Sequence, residues 1–236
     1  RVLGVSRSGY YRYLRRGLSR RREENERLLA RIREIWQGRR RVYGSPRITA
    51  ELRSEGHGCG HNRVSRLMRE NGIRSLVRRR FKVTTRSDHR LPVAEDLVGR
   101  DFTTASINEL WVSDLTYIWT WEGWLYLAAV MDVHNREIVG WTLRDRPTKD
   151  LVVDALLKGL RTRTPEAGLV FHSDRGAQYA SLEVRNVLRS WHARQSMSGR
   201  RSCFDNAVME SFFSSLKREL VHLETFHTKS QARQSV

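Results

Sequence analysis

The sequence predicts a two-part chain of mixed α/β class: a small all-α module, then an α/β domain whose three antiparallel strands lead into alternating helices and strands. Three observations predict it. First, residues 1–100 hold 27 Lys and Arg against 10 Asp and Glu, a net of +17, whereas residues 101–236 hold 17 against 16, a net of +1. Second, six of the seven Trp lie in the later part, with only Trp36 in the earlier one. Third, apolar residues recur every three or four positions up to about residue 70, then gather into strand-length aromatic and β-branched runs from Trp111 onward. The 236 residues, 39% of them hydrophobic, suffice for one or two domains with true cores. No apolar run approaches the roughly 20 residues of a membrane span. Two cysteines, Cys59 and Cys203, build no disulfide framework, so the chain reads as cytoplasmic. Secreted, membrane-spanning and fibrous classes are thereby disfavoured.

The basic part reads as helices. Leu28, Leu29, Ile32, Ile35 and Trp36 mark an amphipathic helix over 23–37. Ser45-Pro46 opens the next helix, with Ser45 expected as N-cap and Ile48 and Leu52 inward. After the glycine-rich break at 56–60 a third helix runs from about Asn62 to Glu70, with Val64, Leu67 and Met68 inward, and Asn71-Gly72 closes it. Two short helices about a glycine turn form a helix-turn-helix candidate. Arg63, Arg66 and Arg69 share the face opposite the apolar stripe, as a recognition helix offers charge to a major groove. Such charge density most often marks a nucleic-acid partner, because phosphate neutralisation releases counterions. His57, Cys59 and His61 have metal-ligand chemistry, but no Cys-x-x-Cys follows them to complete four ligands, so they read as a turn without metal. The expected organisation is a helix-turn-helix region over 1–77, a linker over 78–105 and an α/β core over 106–236.

In the later part, 111–119, 124–133 and 138–143 read as a three-strand meander. A helix follows over about 149–162, then a short apolar strand at 169–171 that runs into His172-Ser173-Asp174. A helix over 182–191, a short piece near Gln195 and a last helix from about Asn206 to Leu220 complete the order, which is that of an RNase H-like domain. Three carboxylates stand out. Asp114 lies mid-strand, Asp174 just past a strand end, and Glu210 on the last helix. Such placements can converge on one point, as a two-metal phosphoryl-transfer site requires. Thirty-five residues separate Asp174 from Glu210, yet Asp101 and Glu137 share that spacing, so context decides: Asp101 falls in the expected linker and Glu137 near a hairpin turn. Lys217, seven residues beyond Glu210, sits about 10.5 Å along the same helix face, with Ser214 between. Asp132 reads as a structural or supporting acid, and His172 as a satisfied strand-end side chain.

The segments Trp111-Val112-Ser113-Asp114-Leu115-Thr116-Tyr117-Ile118, His172-Ser173-Asp174-Arg175-Gly176-Ala177-Gln178-Tyr179 and Asp205-Asn206-Ala207-Val208-Met209-Glu210-Ser211-Phe212-Phe213 with Leu216-Lys217 resemble the three acidic motifs of bacterial insertion-sequence transposases. These are the retroviral-integrase-like enzymes encoded by the second of two overlapping frames. Tyr43-Gly44-Ser45-Pro46-Arg47-Ile48 and Arg63-Val64-Ser65-Arg66-Leu67-Met68 resemble their basic module. The stretch Ser198-Gly199-Arg200-Arg201-Ser202 departs from the family pattern in its loop glycine. The resemblance implies an integrase-type core that cleaves DNA and transfers strands with two Mg²⁺ or Mn²⁺ ions. Asp114 would bridge both ions, Asp174 and Glu210 would hold one each, and Lys217 would contact phosphate. It also implies terminal repeats and target DNA as partners, a homo-multimer on DNA, an upstream-frame protein or a fusion with it, a nucleoid-associated location and no membrane. A start before Arg1 and a segment beyond Val236 are expected from the same resemblance.

Two other readings compete. One is an RNase H-class nuclease without strand transfer, which a basic end-recognition module disfavours. The other is a decayed transposase acting only as a DNA-binding protein, although all three acids and Lys217 are in place.

Overall fold

In a computed structural model, residues 4, 6–15, 19–76, 92–199 and 206–236 are described. The chain divides into two compact units, 1–79 and 80–236. The expected linker between 78 and 91 and the segment from Arg200 to Asp205 lie outside the described residues.

The first unit is helical: α1 (Arg7–Arg15), α2 (Arg20–Gly38), α3 (Ser45–Ser54) and α4 (His61–Glu70). Leu28, Ile32 and Ile35 of α2 pack with Ile48 and Leu52 of α3 and with Val64, Leu67 and Met68 of α4. Cys59 and Ile73 complete this core. The α3–α4 pair about the turn at 55–60 is the expected helix-turn-helix arrangement. Gly72, at φ +66°, takes the left-handed position that ends α4 and that a side chain would strain. Ser45 departs from expectation: Gly44 is the N-cap, and Ser45 lies inside α3. Its hydroxyl is within hydrogen-bond distance of His61 Nε2 at 3.0 Å, so it ties α3 to α4 instead of closing a helix end.

The second unit is built on β1 (Leu110–Thr120), β2 (Gly123–Asp132), β3 (Ile138–Arg144), β4 (Val170–Ser173) and β5 (Arg194–Met197), in the order β3-β2-β1-β4-β5. β1, β2 and β3 form the expected antiparallel meander, while β4 and β5 run parallel to β1. This is the RNase H-like topology. α5 (Lys149–Arg163) makes the crossover from β3 to β4, and α6 (Leu182–Ser190) the crossover from β4 to β5. Alternation along β1 separates two cores. Trp111 packs with Val152, Leu156, Leu160, Val184 and Leu188 of α5 and α6. Leu110 and Val112 pack with Val208, Met209 and Phe213 of α7 (Ala207–Leu216). Gly140 fixes the approach of α5 to the sheet: a Cβ there would lie 2.1 Å from the carbonyl oxygen of Ala155.

Three further features differ from the sequence reading. Residues 92–105, expected as the end of the linker, pack on the second unit. Val98 and Phe102 join the α7-side core, and the Leu97 amide donates to Ser196 Oγ at 2.9 Å. The last helix is not α-helical to Leu220, because a π-helical turn occupies Lys217–Val221. Beyond it α8 (Lys229–Ser235) forms in a stretch that shows no apolar period. Ala232 and Phe226 pack there against Ile118 and Leu125. Among the described residues no helix is long and apolar enough to cross a membrane.

Candidate active site

Strand register brings the first two acids together. β1 and β4 pair in parallel, the last pair being Ser113 with Ser173. Continued by one residue, that register sets Asp174 beside Asp114, about one strand spacing of 4.8 Å away. Asp114 is the next even-numbered residue after Leu110 and Val112, so it points to the α7 side. Its carboxylate accepts from the Leu115 amide at 2.7 Å. Asp174 sits where β4 ends and the chain turns, and it accepts from the Gly176 amide at 2.9 Å. Glu210 stands on the first turn of α7 with an exposed side chain.

The helix that carries Glu210 is tied to the strand that carries Asp114. Asn206, the N-cap of α7, donates its side-chain amide to the Ser113 carbonyl at 3.0 Å. Its other side-chain atom, Oδ1, is buried without a hydrogen-bond partner among the described residues. Ser113 is pinned from the opposite face as well. Its hydroxyl donates to the Ala129 carbonyl at 2.9 Å and accepts from Tyr179 Oη at 2.9 Å. Ser113, next to Asp114, and Tyr179, five residues beyond Asp174, therefore lock the 174–179 turn to β1. All three residues lie in the acidic motifs, but sequence reasoning gave them no role. Alternation of Ser113 with Asp114 was the only signal that a buried partner awaited it.

The electrostatics are those of crowded anions. Burial is the main force that raises the Asp114 carboxyl to about 7, and the charge of Asp174 adds to it, with a further contribution from Glu210. The Leu115 hydrogen bond and the Lys217 charge oppose the rise. Glu210 is raised by desolvation. Burial also lowers the Lys217 ammonium, which Asp114 counteracts. The Tyr179 phenol is pushed well above its ordinary range by burial and by the two aspartates, so it stays protonated and can keep donating.

The donor set suits a hard divalent cation: carboxylate oxygens held by backbone amides, with charge repulsion that a cation would relieve. Among the described residues, no three His, Cys, Asp or Glu side chains stand close enough to enclose one ion. Asp114 and Asp174 form the near pair, and Glu210 acts on Asp114 more weakly.

The other singled-out residues are placed as follows. Lys217 opens the π-helical turn, and its Nζ lies 4.6 Å from the centre of the Tyr117 ring. Asp132 is fully buried and accepts from the Asn108 and His134 amides at 2.7 and 2.9 Å, a structural latch. His172 is buried, with Nδ1 2.9 Å from Ser196 Oγ. Asp101 accepts from the Thr103 amide in a local turn, while Glu137 pairs with Arg163 at the end of α5, so this second pair with the same spacing is taken up by structural contacts. In the helical unit Arg63 is half-buried, donating to Asn25 Oδ1 at 2.8 Å beside Glu24. Arg66 lies 3.8 Å from Glu70, and Arg69 is exposed.

Fold and site together define an integrase-type catalytic domain accompanied by a helix-turn-helix-like unit. The integrase core domain family matches residues 105–203 and the HTH-like domain family residues 23–81. The uncharacterized 31 kDa protein of insertion element IS600 from Shigella sonnei is 42% identical, over 98% of this chain and 85% of its own length. The transposase InsF for insertion sequence IS3A of Escherichia coli K12 is 37% identical, over 100% of this chain and 83% of its own. Among solved structures, the HTLV-2 integrase catalytic core domain in complex with magnesium is similar at 17% identity and a TM-score of 0.40, covering 48% of this chain and 70% of that one. The chain belongs to the IS3-type insertion-sequence transposases, whose catalytic region is an integrase core domain.

Proposed function

We propose that the chain cleaves DNA at the ends of an insertion sequence and joins the freed 3′-hydroxyl to target DNA, with Asp114, Asp174 and Glu210 as ligands for two divalent cations. The observation that carries this reading is the parallel β1–β4 register, which sets Asp174 beside the half-buried Asp114, whose carboxyl is raised to about 7 by desolvation and by that neighbour. A buried anion next to another anion is unfavourable unless a cation compensates it, and such arrangements concentrate at functional sites. Mg²⁺ or Mn²⁺ held by these oxygens supplies neutralisation of phosphate charge and a more acidic attacking hydroxyl.

The chain's own residues supply position. Asp114, fixed mid-strand, would serve both ions, and Asp174, at the β4 end, and Glu210, on α7, would each hold one. Water attacks the end phosphodiester and breaks its P–O3′ bond, leaving a 3′-hydroxyl and a 5′-phosphate; that hydroxyl then loses its proton and attacks a target phosphodiester in line, and the target strand's own 3′-oxygen leaves and is protonated. No covalent link between protein and DNA forms. Lys217 meets a phosphate beside the reacting one, and the helical unit, through Arg63, Arg66 and Arg69, holds the terminal repeat. Arg63 must exchange its Glu24 and Asn25 contacts for phosphate to do so. Copies of the chain act together on paired ends, with or without an upstream-frame partner.

The test uses Asp114→Asn, Asp174→Asn and Glu210→Gln on labelled element ends. Each lowers both cleavage and joining of pre-cleaved ends at least about 100-fold while end binding stays within about twofold. Asp101→Asn retains activity. Normal cleavage by Asp174→Asn in Mg²⁺ would refute the assignment.

A further inference from the structure

The α5/α6 face of the sheet continues past its helical cover. Odd-numbered residues of β1 begin fully buried at Trp111, become half-buried at Leu115, and emerge at Tyr117 and Trp119, which are 41% and 53% exposed. Their partners across the β1–β2 ladder are Tyr126 and Trp124, and Trp124 is itself 43% exposed. The rings touch edge to face: Trp119 and Trp124 at 4.8 Å between centres, Tyr117 and Trp124 at 5.0 Å. Three large aromatic side chains thus form one open ledge, where a strand of a soluble domain ordinarily places polar residues.

The ledge lies on the opposite face of the sheet from the Asp114 carboxylate, and the free edge of β1 joins the two. β4 pairs with β1 only as far as Ser113, so from Asp114 onward β1 carries no second strand neighbour among the described residues. Across that open edge Lys217 places its ammonium over the Tyr117 ring, and the same charge acts on Asp114. One cation therefore joins the acidic site to the aromatic ledge, next to where a phosphate would sit. Tyr117 lies three residues and Trp119 five residues from Asp114, about 10 and 17 Å along the strand.

We propose that this ledge is a nucleobase-stacking site for unpaired bases of the DNA end whose phosphate reaches Asp114 and Asp174. Single-stranded nucleic acid offers what the ledge takes: flat π faces at about 3.4 Å spacing, with a phosphate beside each. A paired duplex hides those faces, so the end must open by three to five base pairs. Lys217 contributes the phosphate contact, and the rings hold the bases by stacking without reading their edges. The inference rests on the DNA-end reading above and names how that end is held.

The experiment compares two ends of identical sequence bound by the full chain in Ca²⁺: one with its last five pairs mismatched, the other with those pairs interstrand-crosslinked. The unchanged chain should bind the mismatched end more tightly, and 2-aminopurine placed three to five nucleotides from the terminus should be quenched on binding. Trp119→Ala, and Trp119→Ala with Trp124→Ala, should lose about 5- to 150-fold of affinity for the mismatched end and the quenching, with crosslinked-end binding unchanged. Trp119→Tyr should keep most of both, which separates stacking from a folding defect. Equal preference for the mismatched end in the double variant would overturn the proposal. So would a double variant that keeps that preference but dissociates a DNA-free dimer in sedimentation, since the ledge would then be covered by a second copy. If the unchanged chain stacks unpaired ends yet neither cuts nor joins them, the transposase reading fails and the stacking site stands.

Discussion

Replacing Asp114 with Asn should make the metal-free protein more stable while abolishing its chemistry. The Asp114 carboxyl is raised from 3.8 to about 7 in the folded chain by burial and by its acidic neighbours. The unfolded chain therefore releases this proton first as pH rises. Below about pH 4 the group is neutral in both states and costs nothing. Between about pH 4 and 7 each pH unit removes about 1.4 kcal/mol of stability, and above pH 7 the loss levels off at about 4 kcal/mol. The amide side chain of the Asp114→Asn variant would carry no charge and could still accept from the Leu115 amide, so this loss disappears. Urea unfolding in EDTA at pH 8 should show the variant more stable by about 2 to 4 kcal/mol, and thermal unfolding should show a rise of several degrees. At pH 4 the two proteins should coincide. Excess Mg²⁺ at pH 8 should raise the unchanged protein by about 2.7 kcal/mol at 100 times its Kd and leave the variant unmoved. A variant no more stable than its parent at pH 8, or one equally stabilised at pH 4, would refute the claim that buried, mutually repelling carboxylates define the site.

Two further outcomes concern DNA. Lys217→Ala should reduce crosslinking of terminal nucleotides to the 206–220 segment and, with the basic unit proposed to supply much of the affinity, lower joining more than total affinity; unchanged crosslinking would exclude the contact. Arg69→Ala should reduce the slope of log K against log salt by about 0.9 for one lost phosphate contact, measured by fluorescence anisotropy across sequences. An unchanged slope would remove Arg69 from the interface, and a loss confined to the terminal repeat would assign it to a base instead.

The meander was legible because aromatic and β-branched runs are separated by short turns such as Glu122-Gly123, so the strands that pair are neighbours in sequence. The position of Asp174 was legible for a related reason: a short apolar strand that runs into an acid leaves that acid at the strand's end, while Asp114 was read within an aromatic and β-branched run. What escaped depends on contacts distant in sequence. Residues 92–105 look like linker because what ties them to the domain is distant: the Ala94 and Leu97 amides donate to the Met197 sulfur and the Ser196 hydroxyl, about 100 residues away. α8 shows no apolar period because only Ala232 of its seven residues is buried. Ser45 has the chemistry of an N-cap, yet His61 claims its hydroxyl once α3 and α4 pack. The π-helical turn at Lys217–Val221 uses residues that would equally sustain an α-helix, so nothing local announces it. Charge division marked the helical unit as basic, but not that Glu24 and Asn25 hold Arg63 at rest.

The central claim is that Asp174 ligates the reaction's metal ion, and a change of ligand softness tests it most directly. A Cys thiolate is a poor partner for Mg²⁺ and a better one for Mn²⁺. Strand transfer by Asp174→Cys should be compared in the two metals, using pre-cleaved ends and with Asp101→Cys as control. The account predicts that Asp174→Cys is inactive in Mg²⁺ and regains measurable joining in Mn²⁺, while Asp101→Cys works in both. Full joining by Asp174→Cys in Mg²⁺ would contradict it.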